Sequence, residues 1–160
     1  MSDNTAAVPQ HSLRRGILFG IGAGVVGGVV WYLVVLGTTS MTTYLIPALG
    51  VGVAFGVHHG MHRPGRTAAI VSVVVTAVTV ALSLFYVERH LIVNWFSDNA
   101  DSAAIPLVPY LDWMVEVLGH AFKKGPAPAL YSVLALVAGG WFGRQGFHHN
   151  DHDTPSARRR

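Results

Sequence analysis

Two histidine clusters share one spacing, HHxxH: His58, His59 and His62, then His148, His149 and His152. Imidazole is the commonest metal ligand, and on a helix His58 and His62 lie one turn apart on one face. That pair has the spacing to chelate Zn²⁺ or Ni²⁺, with Asp151 or Asp153 as an oxygen ligand. The competing reading is interfacial histidines that supply weak positive charge, because sequence spacing alone fixes no tetrahedron. A second pattern is built from hydroxyls. Ser72, Thr76, Thr79 and Ser83 fall at i, i+4, i+7 and i+11, one face of a helix. They can line a polar path, or they can bond a neighbouring helix or the carbonyl one turn back.

The acids give less. Glu88, Arg89 and His90 stand where an apolar run ends, and Asp112 and Glu116 lie one turn apart with Glu116 and His120 as an ordinary i,i+4 pair. A paired acid and base is conceivable there, but a solvated helix face accounts for the same residues. The chain has no Cys, which removes disulfides, thiolate metal sites and Cys nucleophiles. HExxH, a phosphate-cradling loop and a Ser flanked by a His and Asp arrangement are all missing from the sequence. The letters GAGVVG, with Gly22, Gly24 and Gly27, match the dinucleotide fingerprint. That motif needs a preceding strand and an acid about 20 positions on, whereas the first acid after it is Glu88. The expectation is a protein that is not an enzyme, with no catalytic residue and no cofactor.

The elements that carry these residues are read from hydropathy. The 160 residues are 51% hydrophobic and 12% charged, with a mean hydropathy of +0.44, against about 25% charge in globular domains. The charges cluster between four long apolar runs, the pattern of a polytopic membrane protein. The runs predict spans at about 16–36, 42–60, 67–87 and 127–143. A transmembrane domain over 14–145 then lies between a disordered lead, 1–13, and a disordered His- and Arg-bearing tail, 146–160.

The first run has glycines at Gly16, Gly20, Gly24 and Gly28 and no charge between Gly16 and Leu36. Each interior Gly costs a helix in water roughly 0.5–1 kcal/mol against Ala. In a bilayer the unmade backbone hydrogen bond is the costlier alternative, and small residues four apart let helix backbones approach closely. The second run repeats the spacing at Ala48, Gly52, Gly56 and Gly60, across a turn short enough to force an antiparallel neighbour. The fourth repeats it at Ala135, Gly139 and Gly143. These eleven small residues are the expected helix-packing positions, and the first two stripes are expected to form the seam of a hairpin. Between the third and fourth runs, 105–122 reads as an amphipathic helix. Asp112, Glu116, His120 and Lys123 form one face, and Leu107, Val108, Leu111, Met114, Val115, Leu118 and Phe122 the other.

Eight of the eleven Lys and Arg fall on the side that holds both termini, which places the termini in the cytoplasm of a cell-membrane protein. Trp31, Tyr32, Tyr44, Tyr86 and Trp95 are expected in an aromatic belt at the outer interface, and no Asp, Glu, Lys or Arg is expected inside a span. The stretches GILFGIGAGVVGGVVWYLVV and YLIPALGVGVAFGVHHGMHRPGR resemble small uncharacterised bacterial multi-pass membrane proteins of actinobacterial type, over about residues 16–93. The resemblance implies a glycine-rich helical membrane fold and no activity. The fold class expected is therefore all-α, four transmembrane helices in an antiparallel bundle plus one extracytoplasmic amphipathic helix. The expected partners are the lipid bilayer and a homo-oligomer or membrane-complex partner, with no nucleic acid. The function expected is structural or accessory, the alternative being a small transporter or channel for a metal ion.

Overall fold

The computed structural model describes residues 10–38, 42–62, 65–95, 109–123 and 125–146. The lead before residue 10, the loop 96–108 and the tail after 146, with His148, His149 and His152, lie outside the described residues. Helix dominates and no strand occurs among the described residues: α1 (Gln10–Thr38), α2 (Ile46–Met61) entered through a 3-10 turn at Thr43–Leu45, α3 (Arg66–Trp95), α4 (Leu111–Lys123) and α5 (Ala127–Gln145). The first helix begins inside the stretch expected to be a disordered lead, and the third runs eight residues beyond the expected span.

Among the described residues three helical segments are long and apolar enough to cross a membrane: α1, the 3-10 turn with α2, and α3. The pair α4 and α5 passes the same test only when taken together, and it is bent by 109° at its break. Gly125, at φ +158°, stands in that break. At about 1.5 Å per residue the 19 residues Thr43–Met61 reach roughly 28 Å, close to a hydrocarbon core of about 30 Å. Pro47 sits in the first turn of α2, where its missing N–H breaks no helical hydrogen bond. Leu18, Val25, Val29, Leu33, Phe55, Val74, Val78, Leu134, Val137 and Trp141 are all exposed. An apolar coat of this extent is what lipid would cover.

The small residues decide which helices touch. As α1 advances from Gly16 through Gly20 to Gly27, the side chains opposite retreat along α2 from Met61 through Val57 to Leu49. Gly56 and Gly60 of α2 lie against the backbone of Phe19 and of Arg15 and Gly16. Gly24 and Gly28 do not join that seam: they face Thr79 and Ser83 of α3. The reason is periodicity. A four-residue step advances about 40° around a helix of 3.6 residues per turn, so three steps turn the stripe by about 120°, from one neighbour to the next. Eleven residues bring Gly27 back to within about 20° of Gly16. In α2 the expected stripe also divides, since Ala48 is exposed and Gly52 has no atom within 4 Å of an added Cβ, while Gly50 lies on the Ala135 carbonyl of α5. In α5, Ala135, Gly139 and Gly143 are all buried.

Most of the buried core is apolar. At one end Trp31, Val35, Ile46, Leu49, Val80, Leu84, Val87 and Ala135 pack together; at the other, Val53, Val57, Met61 and Ala68. Trp31 was expected in the interfacial belt, yet it is 1% exposed. Its indole N–H donates to the Thr42 hydroxyl at 3.1 Å, which supplies the partner that burial of an indole requires.

Candidate functional site

Every fourth residue of α3 from Ser72, namely Ser72, Thr76, Val80, Leu84 and Glu88, is buried. The stripe begins with two hydroxyls and ends with a carboxylate at 0% exposure. Glu88 was expected to end the third span, with no ionisable residue inside it. The helix instead continues to Trp95, and the segment Arg66–Val93 passes as one span. The continuation Leu91 to Trp95 was the signal in the sequence; the i+4 register from Leu84 then carries Glu88 inward.

The group facing Glu88 comes from α4. His120 Nδ1 stands 3.8 Å from Glu88 Oε2, with the His120 side chain 53% exposed. An ion pair forms there when the imidazole is protonated. The position of His120 follows from the docking of α4, whose buried residues are Val117 and Ala121. The expected apolar face docks only in part: Met114 and Leu118 are half-buried, whereas Leu111, Val115 and Phe122 are exposed. Asp112, Glu116, His120 and Lys123 are exposed as expected. Thus α4 carries three strips, one on the bundle, one apolar and open, and one polar. A buried carboxylate with a half-exposed imidazole can exchange a proton with the surface, and can fasten α4 to α3 by charge.

The four hydroxyls of α3 do not line one path. Ser72 and Thr76 are fully buried against Gly143 and Gly139 of α5, and neither hydroxyl oxygen has a hydrogen-bond partner. Thr79 and Ser83 turn toward α1, where a groove of about 700 Å³ opens between α1 and α3. Its floor holds Gly24, Gly28, Thr79 and Ser83, its rims are mainly Val and Leu, and Tyr32 and Tyr86 stand at one end. The His90 ring packs edge-on to Tyr32 at 5.6 Å between centroids.

At the opposite end, the first histidine cluster is part of an aromatic group. His59 stacks on Phe55 at 6.4 Å, meets Phe19 edge-on at 5.5 Å and lies 5.9 Å from the His62 ring. His62 is not on the helix. It closes α2 as its C-cap in the left-handed region at φ 55°, its N–H donating to the His58 carbonyl one turn back. Among the described residues no group of three His, Cys, Asp or Glu side chains is placed to hold a metal ion. Compared with known proteins, the chain matches no family model, no curated protein and no solved structure.

Proposed function

We propose that this chain is a bacterial integral membrane protein of structural or accessory type that performs no reaction. In this reading α1, α2, α3 and α5 span the cell membrane as an antiparallel bundle. α4 lies at the extracytoplasmic surface, and both termini are cytoplasmic. The observation that carries it is the use of the small residues. Gly50, Gly56 and Gly60 bring helices into backbone contact within one chain, the packing mode of helices in lipid, where no hydrophobic force drives them together. The exposed apolar side chains around that bundle and the bias of Lys and Arg toward one side support the orientation. Leu111, Val115 and Phe122, exposed on α4, suit a helix lying in the interface plane.

The lack of native cysteine makes a clean test. In intact cells a membrane-impermeant maleimide labels Ser102→Cys and leaves Ser156→Cys unlabelled until the cells are opened. Equal labelling of the two positions, or recovery of the chain without detergent, sinks the reading. It also expects Zn²⁺ or Ni²⁺ to leave the melting temperature in detergent unchanged, and His58→Ala with His62→Ala to be silent.

One observation favours the second reading, a small transporter. Glu88 is a buried acid within a helix long enough to span, and ionisable residues in such helices usually serve ion or proton movement. That reading requires proteoliposomes to pass protons or a metal ion, and Glu88→Gln to stop the flux. Wild-type vesicles as tight as empty ones remove it.

A further inference from the structure

The contact between α4 and α3 joins a wet group to a dry one. Glu88 is fully buried, while His120, whose Nδ1 stands 3.8 Å from Glu88 Oε2, is half-exposed. The imidazole can therefore gain or lose a proton to water while the carboxylate beside it stays sealed. A carboxylate out of water is costly unless a cation faces it. Protonated His120 brings that charge from α4; neutral His120 does not.

The apolar hold on α4 is slight. Its buried residues are Val117 and Ala121, with Trp113, Met114 and Leu118 half-buried and Leu111, Val115 and Phe122 facing outward. It meets α5 across a break bent by 109°, so it lies on the bundle as a flap. Docking this light lets one ion pair tip it. The other charged and titratable groups near the pair come from four helices. Arg89 and His90 follow Glu88 on α3, and Glu116 and Lys123 lie about one turn either side of His120 on α4. Tyr32 of α1 packs on His90, and Tyr131 of α5 packs on the core cluster that holds Leu84 and Val87. On α2, His58 and His59 stand in the last turn, at the far end. Between about pH 6 and about pH 8.5 histidine is the residue type whose charge changes, which leaves His120 and His90 near the pair.

We propose that α4 is a proton-controlled lid over Glu88: protonated His120 draws it down onto the carboxylate, and loss of that proton releases it and opens Glu88 to water. The sign follows from linkage. The docked state holds a proton that the released state gives up, so release grows as pH rises. The lid depends on neither function proposed above.

The chain has no native Cys, so Val117→Cys, buried beneath α4, reports release through its rate of alkylation by iodoacetamide in mild detergent. Val115→Cys, exposed on the same helix, corrects for ionisation of the thiol. From about pH 6 to about pH 8.5 the corrected rate rises about tenfold or more, the order of a bond to a charged group. Added to Val117→Cys, Glu88→Gln and His120→Gln each flatten that rise, and His90→Gln leaves it intact. His120→Lys, charged at both pH values, holds the rate low at both. The His120 variants alter an exposed side chain, so the rise and its loss are read even if Glu88→Gln does not fold. A corrected rate that is equal at the two pH values overturns the proposal. So does a rise that survives His120→Gln, one that His90→Gln abolishes, or a His120→Lys rate that climbs as the parent does.

Discussion

Gly60 and Gly24 each belong to a run of small residues four apart, yet they do different work. A Cβ on Gly60 would meet the Arg15 carbonyl oxygen and the Gly16 Cα, each at 2.6 Å. The atoms nearest a Cβ on Gly24 all belong to the Thr79 side chain. The first glycine removes a barrier between two backbones, which cannot turn aside. The second leaves a space beside a side chain that can adopt another rotamer, and that space widens into the groove. Small residues at helical spacing therefore serve either to seal an interface or to hold one open, and the identity of the atom opposite decides which.

The widest expected separation is between substitutions on the two sides. Gly60→Ala and Gly50→Ala force helix backbones apart, at about 1–3 kcal/mol or more for overpacking, seen as a large fall in melting temperature in mild detergent. Were Gly24→Ala to cost as much, the division would fail. On the sealed side Thr42→Val should come next. It strips the buried Trp31 indole of its acceptor, at about 1–3 kcal/mol, again read from thermal unfolding.

Intermediate effects belong to glycines that meet hydroxyls. Gly24→Ala pushes Thr79, and Gly139→Ala meets the Thr76 Oγ1 at 2.9 Å. Each should cost about 0.5–1.5 kcal/mol through a displaced rotamer. Adding Thr79→Ala to the first and Thr76→Ala to the second should recover most of the loss, as a double-mutant cycle measures. Failure of both rescues would mean that the backbones, not the hydroxyls, carry these contacts. The smallest effect is a gain. Gly52→Ala meets nothing within 4 Å and should stabilise α2 by about 0.5–1 kcal/mol, a rise in melting temperature of the opposite sign to the rest.

Some of the site was legible in the residues and some was not. Apolar length marked α1, α2 and α3, and the polar strip of α4 stands where Asp112, Glu116, His120 and Lys123 place it. Glu88 was hidden because hydropathy reads a charged residue as the end of a span, while the helix obeys its own register through Glu88 to Trp95. The pairing of Glu88 with His120 joins residues 32 positions apart on two helices, so no local spacing announces it. Trp31 read as a belt residue because tryptophan favours interfaces; its burial depends on Thr42 arriving from the far side of a turn.

What the sequence determines by itself is therefore composition along the chain: an all-helical protein with runs apolar and long enough for a membrane, and small residues spaced for close packing. What the tertiary structure decides is the partner of each of those residues. A helix turns about 100° per residue, so a repeat of four cannot stay on one neighbour. Whether the drifting glycine lands on a carbonyl, as Gly60 does, or beside a threonine, as Gly24 does, depends on where the other helices stand.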